Sequence, residues 1–466
     1  MKNNFKKIIC CIGAGYVGGP TMSVLALNCP DWQVNLVDLN EERINAWNNE
    51  DLSKLPIFEP GLEKIVKKCK GKNLFFSTKI EENIAKADII FISVNTPTKT
   101  KGEGAGYSSD LTWIESSARE IAKFARNHTV VVEKSTLPVK TAETIKIILN
   151  SFEEDNAKRI TYSDKKTFSI VSNPEFLAEG SAINDLQNPD RVLIGGEDQD
   201  SINMIKDIYR NWVDEEKIIT TNLWSSELSK LVANAFLAQR ISSINSISAL
   251  CESTGANISE VAKAVGADTR IGDKFLKSGP GFGGSCFKKD ILNLVYLCRY
   301  YGLYEVANYW EQIVKINLWQ QNRISSIVIK NLFGTLSNKK LALFGFSFKA
   351  NTNDTRESPS INISKDFLKE GAELSFYDPQ VKKTQILKEF DEIERGQIKV
   401  YKSALKASEG ADAIIVLTEW EEFKDLDWQI IYKKMRKPSW VFDSRICLNR
   451  KYLQDIGFRV WTLGNS

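Results

Sequence analysis

Histidine is nearly missing from this chain, which has only one, His128, among 466 residues. A histidine-based catalytic triad and a metal centre built from several histidines are therefore excluded. His128 stands between a predicted helix and a predicted strand, where a surface loop is expected. Acid–base or covalent chemistry must use cysteine, lysine, threonine or carboxylate side chains instead, and no metal site is predicted.

An excess of one charge and long apolar runs are also missing. The chain has 62 basic and 59 acidic residues, so its formal net charge is only +3. This balance predicts neither a nucleic-acid partner nor a membrane surface as a partner. The longest apolar runs are too short for a membrane span. The basic N-terminus followed by apolar residues 8–12 resembles a signal sequence, but glycines follow at once, so we predict a first β-strand there.

The eight cysteines have none of the paired spacings typical of metal or redox sites. A chain of this length needs no disulfides to stabilise its core, so we expect reduced thiols and a cytoplasmic protein. The length itself predicts two or three domains.

A glycine-rich turn near the N-terminus carries the first functional signal. A predicted strand over residues 7–12 leads into Gly13-Ala14-Gly15-Tyr16-Val17-Gly18, a helical pattern follows, and a second strand ends at Asp38. This is the G-x-G-x-x-G pattern in the context that dinucleotide binding requires. The glycines permit close approach of a pyrophosphate to a helix N-terminus. Asp38 would bond the ribose hydroxyls and repel a 2′-phosphate, which favours NAD, whereas Arg43 is a weaker argument for NADP.

Two further predicted strands end in small or hydroxyl residues. The strand over 88–94 runs into Asn95-Thr96-Pro97-Thr98, and the strand over 129–134 runs into Ser135-Thr136. Ligands of doubly wound sheets bind at the carboxyl ends of the strands. The same residue types also suit turns and caps, and the pattern leaves both interpretations open.

A pair of carboxylates follows a short strand at 169–172. Glu175 and Glu179 are four residues apart, so on a helix they would share one face. Such a pair can hold or activate water, or it can simply form a solvated face.

A long helical stretch from Ser225 to about Thr254 is apolar throughout, which predicts a buried helix that joins two domains. Lys230 and Asn234 lie one turn apart on it. A buried ammonium and a buried amide need partners, which a substrate phosphate, an oxyanion or a neighbouring loop could supply.

One cysteine lies in a second glycine-rich loop, Gly279 to Gly284. Ser285 and Cys286 follow this loop, and Lys288, Lys289 and Asp290 come next. A cysteine beside cations, at the start of a predicted helix, is suited to act as a nucleophile through its thiolate. A buried structural cysteine is the alternative.

Alternation of strands and helices resumes at Lys340 without a second glycine fingerprint. Lys349, Arg356 and Arg445 fall at predicted strand ends or just after them, where arginine suits phosphate. The fold class predicted is therefore α/β, with two doubly wound, Rossmann-like parallel-sheet domains joined by a long central helix and a small helical domain.

From Lys7 to about Phe458 the chain resembles the nucleotide-sugar 6-dehydrogenase family, and within it the animal-type branch. The resemblance rests on nine blocks, namely residues 13–20, 93–98, 133–136, 173–180, 227–231 with Asn234, 281–290, 348–349, 354–358 and 443–445. It implies NAD-dependent oxidation of UDP-glucose to UDP-glucuronate in a homo-oligomer built from dimers, as a dimer or a hexamer. It also implies an NAD-binding domain over 1–222, a central helical dimerisation domain over 223–333 and a UDP-sugar-binding domain over 334–466.

The resemblance further implies roles for individual residues. Cys286 would form a thiohemiacetal and then a thioester, Lys230 would stabilise the oxyanion, and Asp290 would orient groups or accept a proton through water. Glu175, with Thr136 and a water, would act as the base for hydrolysis, and Asn234 completes the catalytic set. The implied cofactor-binding residues are Gly13, Ala14, Gly15, Tyr16, Val17, Gly18, Asp38, Arg43, Val94, Asn95, Thr96, Pro97, Thr98, Ser135, Thr136, Glu179 and Arg356. The implied substrate-binding residues are Glu175, Phe176, Leu177, Ala178, Glu179, Lys230, Asn234, Arg270, Lys277, Gly281, Phe282, Gly283, Phe348, Lys349 and Arg445, with Arg270 supplied to a neighbouring subunit.

Three other functions remain to be separated from this one. A dehydrogenase of GDP-mannose or of a UDP-N-acetyl sugar would use the same cysteine and lysine and differ only in substrate. A non-catalytic nucleotide-sugar sensor would not need the nucleophile Cys286. A one-step 2-hydroxy-acid dehydrogenase shares the fingerprint but would not need this cysteine either.

Overall fold

A computed structural model describes residues 5–135, 138–157 and 166–465 of the chain. The chain divides into two compact units, residues 1–233 and 234–466. Within the described residues no helix is both long enough and apolar enough to cross a membrane.

The first unit is built on an eight-stranded sheet with the strand order β3-β2-β1-β4-β5-β6-β7-β8. All neighbours pair in parallel except β6 and β7, which are antiparallel, so the last two strands depart from the predicted all-parallel sheet. The strands are β1 (Ile8–Ile12), β2 (Gln33–Val37), β3 (Leu74–Ser77), β4 (Ile89–Ile92), β5 (Thr129–Glu133), β6 (Phe168–Ser172), β7 (Val192–Gly196) and β8 (Ile218–Thr221).

Helices cover both faces of this sheet, which is why the central strands are apolar on both sides. In β1, Ile9 and Cys11 face one hydrophobic cluster, and Cys10 and Ile12 face the other. The helices are α1 (Gly18–Asn28), α2 (Glu41–Asn48), α3 (Leu62–Cys69), α4 (Ile80–Ile84), α5 (Thr112–Phe124), α6 (Thr141–Ala157), α7 (Ala182–Gln187) and α8 (Gln199–Tyr209).

Helix α9 (Leu223–Thr254) is the predicted long helix, and the boundary between the units falls within it. Its residues Leu231, Ala235 and Ala238 are buried. The predicted burial holds for only part of its surface in a single chain, because Phe236 and Leu250 are 53% and 58% exposed. When apolar residues occur on all sides of a helix, the sequence does not show which of them remain exposed in a single chain.

The second unit begins with three further helices, α10 (Ile258–Gly266), α11 (Phe287–Tyr300) and α12 (Tyr304–Asn331). A six-stranded parallel sheet follows, in the order β11-β10-β9-β12-β13-β14. Its strands are β9 (Lys340–Phe344), β10 (Glu373–Tyr377), β11 (Ile398–Val400), β12 (Ala413–Val416), β13 (Trp440–Asp443) and β14 (Arg459–Thr462). Its helices are α13 (Pro359–Lys369), α14 (Lys383–Lys388), α15 (Glu392–Gly396), α16 (Ala404–Ser408), α17 (Trp428–Lys434) and α18 (Arg450–Ile456).

In each sheet the first strand pairs with the fourth, β1 with β4 and β9 with β12. At this pair the chain stops adding strands on one side of the first strand and begins adding them on the other side. In doubly wound folds this reversal opens a crevice at the carboxyl ends of the strands, where ligands bind. The predicted α/β class with two Rossmann-like sheets and a long central helix is therefore confirmed.

Candidate functional site

The glycine-rich turn lies at the reversal point of the first sheet. It connects β1 to α1, and β1 pairs with β4. The end of β4 lies directly against the turn, because a Cβ on Gly13 would come within 2.3 Å of the Ser93 carbonyl oxygen. A Cβ on Gly18 would come within 2.0 Å of the Gly13 carbonyl oxygen, so these two glycines are required by packing.

Gly15 differs from its neighbours. A Cβ built on it would meet no atom within 4 Å. The chain itself therefore does not require glycine here, and the open space above Gly15 is where a pyrophosphate would approach the start of α1. This turn is the part of the molecule that fits a dinucleotide.

Asp38 is bonded to the same turn. One of its carboxylate oxygens accepts the backbone N–H of Ala14 at 2.9 Å and also the Arg43 guanidinium at 2.9 Å. Arg43 is thus neutralised by Asp38, which weakens the argument from Arg43 for a 2′-phosphate. The buried Trp47 donates its indole N–H to the Ala14 carbonyl at 3.1 Å, and it supports the turn from below.

The ends of β4 and β5 are joined at the same edge of the sheet. The Ser135 hydroxyl donates to the Val94 carbonyl at 2.7 Å. The segment from Asn95 to Thr98 continues from this point, and the Pro97 carbonyl accepts the N–H of Asp110 at 2.7 Å. Thr136 lies outside the described residues, so its predicted role stays a prediction.

The segment after β6 is not a helix, so the expectation that Glu175 and Glu179 share a helix face is wrong. Pro174 disfavours a helical conformation at the residue before it, and residues 173–178 are irregular. One oxygen of Glu175 accepts the N–H groups of Phe176 and Leu177 at 2.8 and 3.2 Å. Local bonds to its own backbone therefore fix this carboxylate.

A lysine that the sequence analysis left without a role holds the other oxygen of Glu175. Lys134, at the end of β5, is 2% exposed and its ammonium lies 2.9 Å from Glu175 Oε2. Asn173 Oδ1 and the Tyr209 hydroxyl lie 3.1 Å from the same ammonium. These four side chains form a buried network at the carboxyl end of the sheet.

The network determines the charge states of Glu175 and Lys134. Burial would raise the pKa of Glu175, but the Lys134 ammonium outweighs it and the pKa is lowered. Burial would lower the pKa of Lys134, but Glu175 and Tyr209 outweigh it and the pKa is raised. Glu175 is thus a carboxylate throughout the neutral range, well suited to accept hydrogen bonds and weak as a base.

Lys230 lies on α9 and is 7% exposed. Its ammonium is 5.2 Å from the centre of the Phe176 ring, beside the Glu175 carboxylate whose pKa it helps to lower. The predicted oxyanion-stabilising lysine and the predicted base are therefore neighbours within the first unit.

In the second unit, Cys286 occupies the position that immediately precedes α11, and its side chain is exposed. The nearest polar atom described for its sulfur is the Ser285 hydroxyl at 3.5 Å. The expected helix start is confirmed, because α11 begins at Phe287, and the alternative of a buried cysteine is wrong. The unpaired N–H groups of a helix start favour a negative charge near this sulfur.

The glycine loop before Cys286 is held from two sides. Asn317 of α12 accepts the N–H of Phe282 at 2.8 Å and donates to its carbonyl at 3.0 Å. On the other side, a Cβ on Gly283 would come within 2.6 Å of the Glu357 carbonyl oxygen and 2.8 Å of Phe348 Cβ. The loop therefore has one conformation available, and this conformation presents Cys286 outward.

Asp290, one turn after Cys286, is 1% exposed and accepts a 2.6 Å hydrogen bond from the Asn234 amide. The Lys289 ammonium is 3.5 Å from its other oxygen. Asn234 and Asp290, which the sequence places 56 residues apart, are therefore one hydrogen-bonded unit beside the cysteine helix.

The basic residues predicted to bind the substrate (Arg270, Lys349 and Arg445) or the cofactor (Arg356) differ in how they are engaged. Arg445 is 12% exposed, lies 3.1 Å from a Glu419 oxygen, and donates to the carbonyls of Leu417 and Phe348. Arg356 and Arg270 each pair with the aspartate two residues earlier at 2.6 Å. The Lys349 ammonium lies 5.7 Å from the centre of the Phe348 ring.

Some functional candidates were missed by sequence reasoning. Lys134, Trp47 and Asn317 each hold a predicted site residue, Tyr209 bonds Lys134, and each contact joins elements far apart in the chain. The one available signal was Lys134 itself, a charged residue that directly follows a strand with three consecutive valines. Within the described ranges, no group of three or more histidine, cysteine or acidic residues could hold a metal ion.

Comparisons with known proteins agree with this arrangement. Three models of the UDP-glucose/GDP-mannose dehydrogenase family match the chain: the NAD binding domain at residues 7–213, the central domain at 224–319 and the UDP binding domain at 342–450. The chain is 55% identical to UDP-glucose 6-dehydrogenase 4 of Arabidopsis thaliana and 54% identical to UDP-glucose 6-dehydrogenase 5 of Oryza sativa subsp. japonica. Both alignments cover 98% of this chain and 96% of the relative.

Among solved structures, a UDP-glucose dehydrogenase from Pyrobaculum islandicum aligns with a TM-score of 0.81 and 26% identity over 98% of this chain and 99% of that one. A UDP-D-ManNAc dehydrogenase from Pyrococcus horikoshii gives the same TM-score at 25% identity and the same coverage. The relatives named here are plant enzymes, which leaves the animal-type branch without support. By its three domains and its similarity over nearly its whole length, the chain belongs to the UDP-glucose/GDP-mannose dehydrogenase family.

Proposed function

We propose that this chain is an NAD-dependent UDP-glucose 6-dehydrogenase, which oxidises UDP-glucose to UDP-glucuronate and forms two NADH per turnover. The observation that carries the proposal is an exposed cysteine, Cys286, presented by a rigid glycine loop at the start of α11. A thiol in that position is needed only if an aldehyde must be retained between two oxidations. Similarity to curated enzymes of this activity at about 54% identity over 98% of the chain supports the same substrate.

The chemistry passes through sulfur. The alcohol at C6 loses a hydride and a proton and becomes an aldehyde. The Cys286 thiolate adds to the aldehyde carbon and gives a thiohemiacetal, whose C–H is lost as a second hydride to leave a thioester. Water adds to the thioester, the C–S bond breaks, and the acid and the free thiol result. NAD⁺, when bound at the Gly13–Gly18 turn, accepts one hydride at each oxidation.

Several side chains serve these steps or the binding of the cofactor. Lys230 supplies a positive charge for the oxyanion, and in a dry site such a charge contributes on the order of 3 kcal/mol. Asp290, held by its hydrogen bond from Asn234, accepts a proton released in these steps through a water molecule. Glu175, kept ionised by Lys134, orients the hydrolytic water together with Thr136, because a carboxylate of lowered pKa is a strong hydrogen-bond acceptor. Asp38 bonds the adenosine ribose at the edge of the fingerprint turn.

The NADH yield tests this function directly. With limiting UDP-glucose and excess NAD⁺, we expect two NADH for each UDP-glucose consumed, because the aldehyde stays bound to Cys286 until the acid forms. A yield of one would mean that the aldehyde is released and would remove the role given to the cysteine. Tight UDP-glucose binding without NADH would favour the sensor. Activity restricted to GDP-mannose or a UDP-N-acetyl sugar would favour a sibling enzyme.

A homo-oligomer built from dimers is proposed for a separate reason. The second unit leaves many large apolar side chains of α9, α11 and α12 about half exposed, and such an expanse exceeds what a monomer usually presents to water. They are Phe236, Ile247, Leu250, Tyr300, Tyr304, Tyr309, Leu318 and Trp319. A second copy of this chain is the proposed partner, by the self-complementary pairing usual in dimers.

The solution mass of the protein checks this proposal. Light scattering is expected to give at least twice the 52.6 kDa of one chain, and Leu318→Glu is expected to lower that mass because it places charge on the apolar surface. Ile393→Glu, on α15 outside that surface and 83% exposed, is the control. A wild-type mass of one chain would contradict the proposal.

The domain limits and location also remain proposals. Three domains over 1–222, 223–333 and 334–466 are consistent with α9 beginning at Leu223 and α12 ending at Asn331. A cytoplasmic location is supported by the eight cysteines, all of which are unpaired.

A further inference from the structure

The last residue of β5 is Glu133, a glutamate buried where its negative charge would not be stabilised. Glu133 is 1% exposed, and its strand neighbours at this position are Ile92 of β4 and Ser172 of β6. Within the described part of the chain, neither of its carboxyl oxygens receives a hydrogen bond from a nitrogen or hydroxyl donor. A buried carboxylate without donors is strongly disfavoured, so the charge must be removed or compensated.

The polar group that meets Glu133 is another glutamate. Glu227 of α9 is 4% exposed, and its charge acts on Glu133. The residue before it, Ser226, donates its hydroxyl to the Ser172 carbonyl at 3.3 Å, and Ser172 is the strand neighbour of Glu133. The two oxygens of Glu227 are already used at the start of α6. One accepts the N–H of Lys140 at 2.7 Å and the other accepts the N–H of Ala142 at 2.9 Å. Glu227 therefore caps α6, and both the N–H groups and the helix start favour its ionised form.

Two carboxyl groups can bond to each other only if one of them carries a proton, since an ionised carboxylate has no donor. Glu227 is the one held ionised by the backbone of α6. We propose that Glu133 is protonated in the folded protein, donates its proton in a hydrogen bond to Glu227, and so positions the start of α6. Glu133 acts through Glu227 and is a positioning residue.

The charges around the pair agree with this assignment. Burial, and then the charge of Glu227, raise the pKa of Glu133 well above its ordinary value. Burial also raises the pKa of Glu227, and its bonds to Ala142, Lys140 and Glu133 act in the opposite direction. Within the coupled pair, the proton therefore belongs on Glu133.

Among the described residues, the cations on the elements packed against Glu133 make contacts elsewhere. Side chains alternate along a strand, so the next residue, Lys134, points to the other face of the sheet, where its ammonium is bonded to Glu175. The Lys140 ammonium lies 5.9 Å from the centre of the Trp224 ring. On α6, Glu143 and Lys146 are exposed, and Lys146 pairs with Glu197. On α9, the Lys230 ammonium lies beside the Phe176 ring.

The start of α6 follows the strand that ends at the functional edge of the sheet. At that edge the Ser135 hydroxyl bonds the Val94 carbonyl, and at the start of α6 the Lys140 N–H is bonded by Glu227. Lys140 has a positive φ of 77°, a conformation that costs energy for a residue with a side chain and is retained because its neighbours hold it. Loss of the proton would place two negative charges side by side and weaken the contact that holds Lys140.

The proton makes a measurable contribution to the pH dependence of folding. An unfolded glutamate releases its proton above about pH 4.3, whereas Glu133 keeps it when folded. From that pH up to the native pKa, the folded state binds one more proton than the unfolded state, so rising pH favours unfolding. This site alone makes the unfolding equilibrium constant rise tenfold per pH unit.

Glu133→Gln tests the proposal, because its amide can donate to Glu227 but cannot titrate. Between about pH 5 and pH 7 the ratio of wild-type to variant unfolding constants is expected to rise about 100-fold, so the variant gains on the wild type as pH rises. Its kcat/KM at about pH 7 should stay within about twofold of wild type. A ratio that does not rise with pH overturns the proposal.

Glu227→Gln is the reciprocal variant. A glutamine has one acceptor oxygen for the two N–H groups of Lys140 and Ala142, so this variant is expected to be less stable than wild type at every pH in that range. The two glutamates therefore give opposite results at neutral pH if the proton lies on Glu133. If Glu227→Gln is instead the variant that gains stability, the proton lies on Glu227 and the assignment is wrong.

Infrared spectroscopy observes the proton without reference to stability or activity. A protonated carboxyl C=O stretch present in the wild-type spectrum at about pH 7 should be lost in Glu133→Gln. Glu133→Met removes the same carboxyl and serves the same comparison if the glutamine variant fails to fold. Persistence of the band at full intensity in the folded variant overturns the proposal.

Discussion

Cys286→Ser is expected to lower the rate of NADH formation from UDP-glucose by at least about 10³-fold, because a serine hydroxyl without an adjacent base cannot replace a thiolate as nucleophile. The binding of NAD should be unchanged, since the fingerprint turn, Asp38 and Arg43 all lie in the first unit. Steady-state kinetics and a titration with NAD measure the two effects separately. A variant that binds NAD and does not turn over would place the loss in the covalent step.

Cys447→Ser is the matched control, because Cys447 is the one other cysteine that is not buried. Its thiol lies 3.8 Å from an Asp443 oxygen, and burial raises its pKa, so it is not suited to act as a nucleophile. This variant should keep nearly the full rate. A normal rate from Cys286→Ser would disprove the thiohemiacetal and thioester route.

Lys134→Met is expected to lower the free energy of unfolding by about 3–5 kcal/mol, because it leaves the Glu175 carboxylate buried without its cation. Lys134 is 2% exposed and Glu175 is 14% exposed, so little solvent screens this pair. Denaturant unfolding at neutral pH measures the loss. The substrate rate should fall as well, because Glu175 would lose its fixed position.

The exposed ion pair Lys146–Glu197 supplies the control. Its atoms are 2.6 Å apart, closer than the buried pair, yet its side chains are 50% and 59% exposed. Lys146→Met should therefore cost less than about 1 kcal/mol. The double variant Lys134→Met with Glu175→Gln should recover part of the stability lost in Lys134→Met, because the stranded charge is gone. Equal losses for the two lysines would show that burial does not set the strength of this pair.

The same pair fixes the sign of a pH effect. The pKa of Glu175 is lowered in the folded state, so its contribution is present above the ordinary glutamate pKa of about 4.3 and is lost as pH falls through its folded pKa. The pKa of Lys134 is raised, so its contribution is complete below the ordinary lysine pKa of about 10.4 and is lost as pH rises through its folded pKa. The stability of the double variant should show neither of these two pH dependences.

Much of the fold could be predicted because its signals are local. The strands predicted over residues 7–12, 129–134 and 169–172 are found at Ile8–Ile12, Thr129–Glu133 and Phe168–Ser172, since short apolar runs mark them. Short strands such as β3, β8, β11 and β14 were not predicted, because edge strands need less apolar sequence and resemble loops. The antiparallel direction of β7 could not be predicted either, because an apolar sequence pattern indicates that a strand is buried but not which way it runs.

The site residues can likewise be divided into those that local sequence predicts and those that it does not. The fingerprint turn and Cys286 were found because spacing along the chain defines them. The contacts of Asn234 with Asp290 and of Lys134 with Glu175 join residues 56 and 41 positions apart, and no local pattern encodes them. Glu175 and Glu179 would share a face only on a helix, and their four-residue spacing does not by itself establish a helix; residues 173–178 are irregular.

The bond between Asp38 and Arg43 has an evolutionary consequence. The carboxylate that we propose to bind the ribose end of the cofactor also accepts a hydrogen bond from the guanidinium five residues later. Loss of that carboxylate would at once remove the repulsion against a 2′-phosphate and release a cation able to bind it. The route from one cofactor to the other is therefore one mutation long in this chain, and selection for the present preference must act continuously on Asp38.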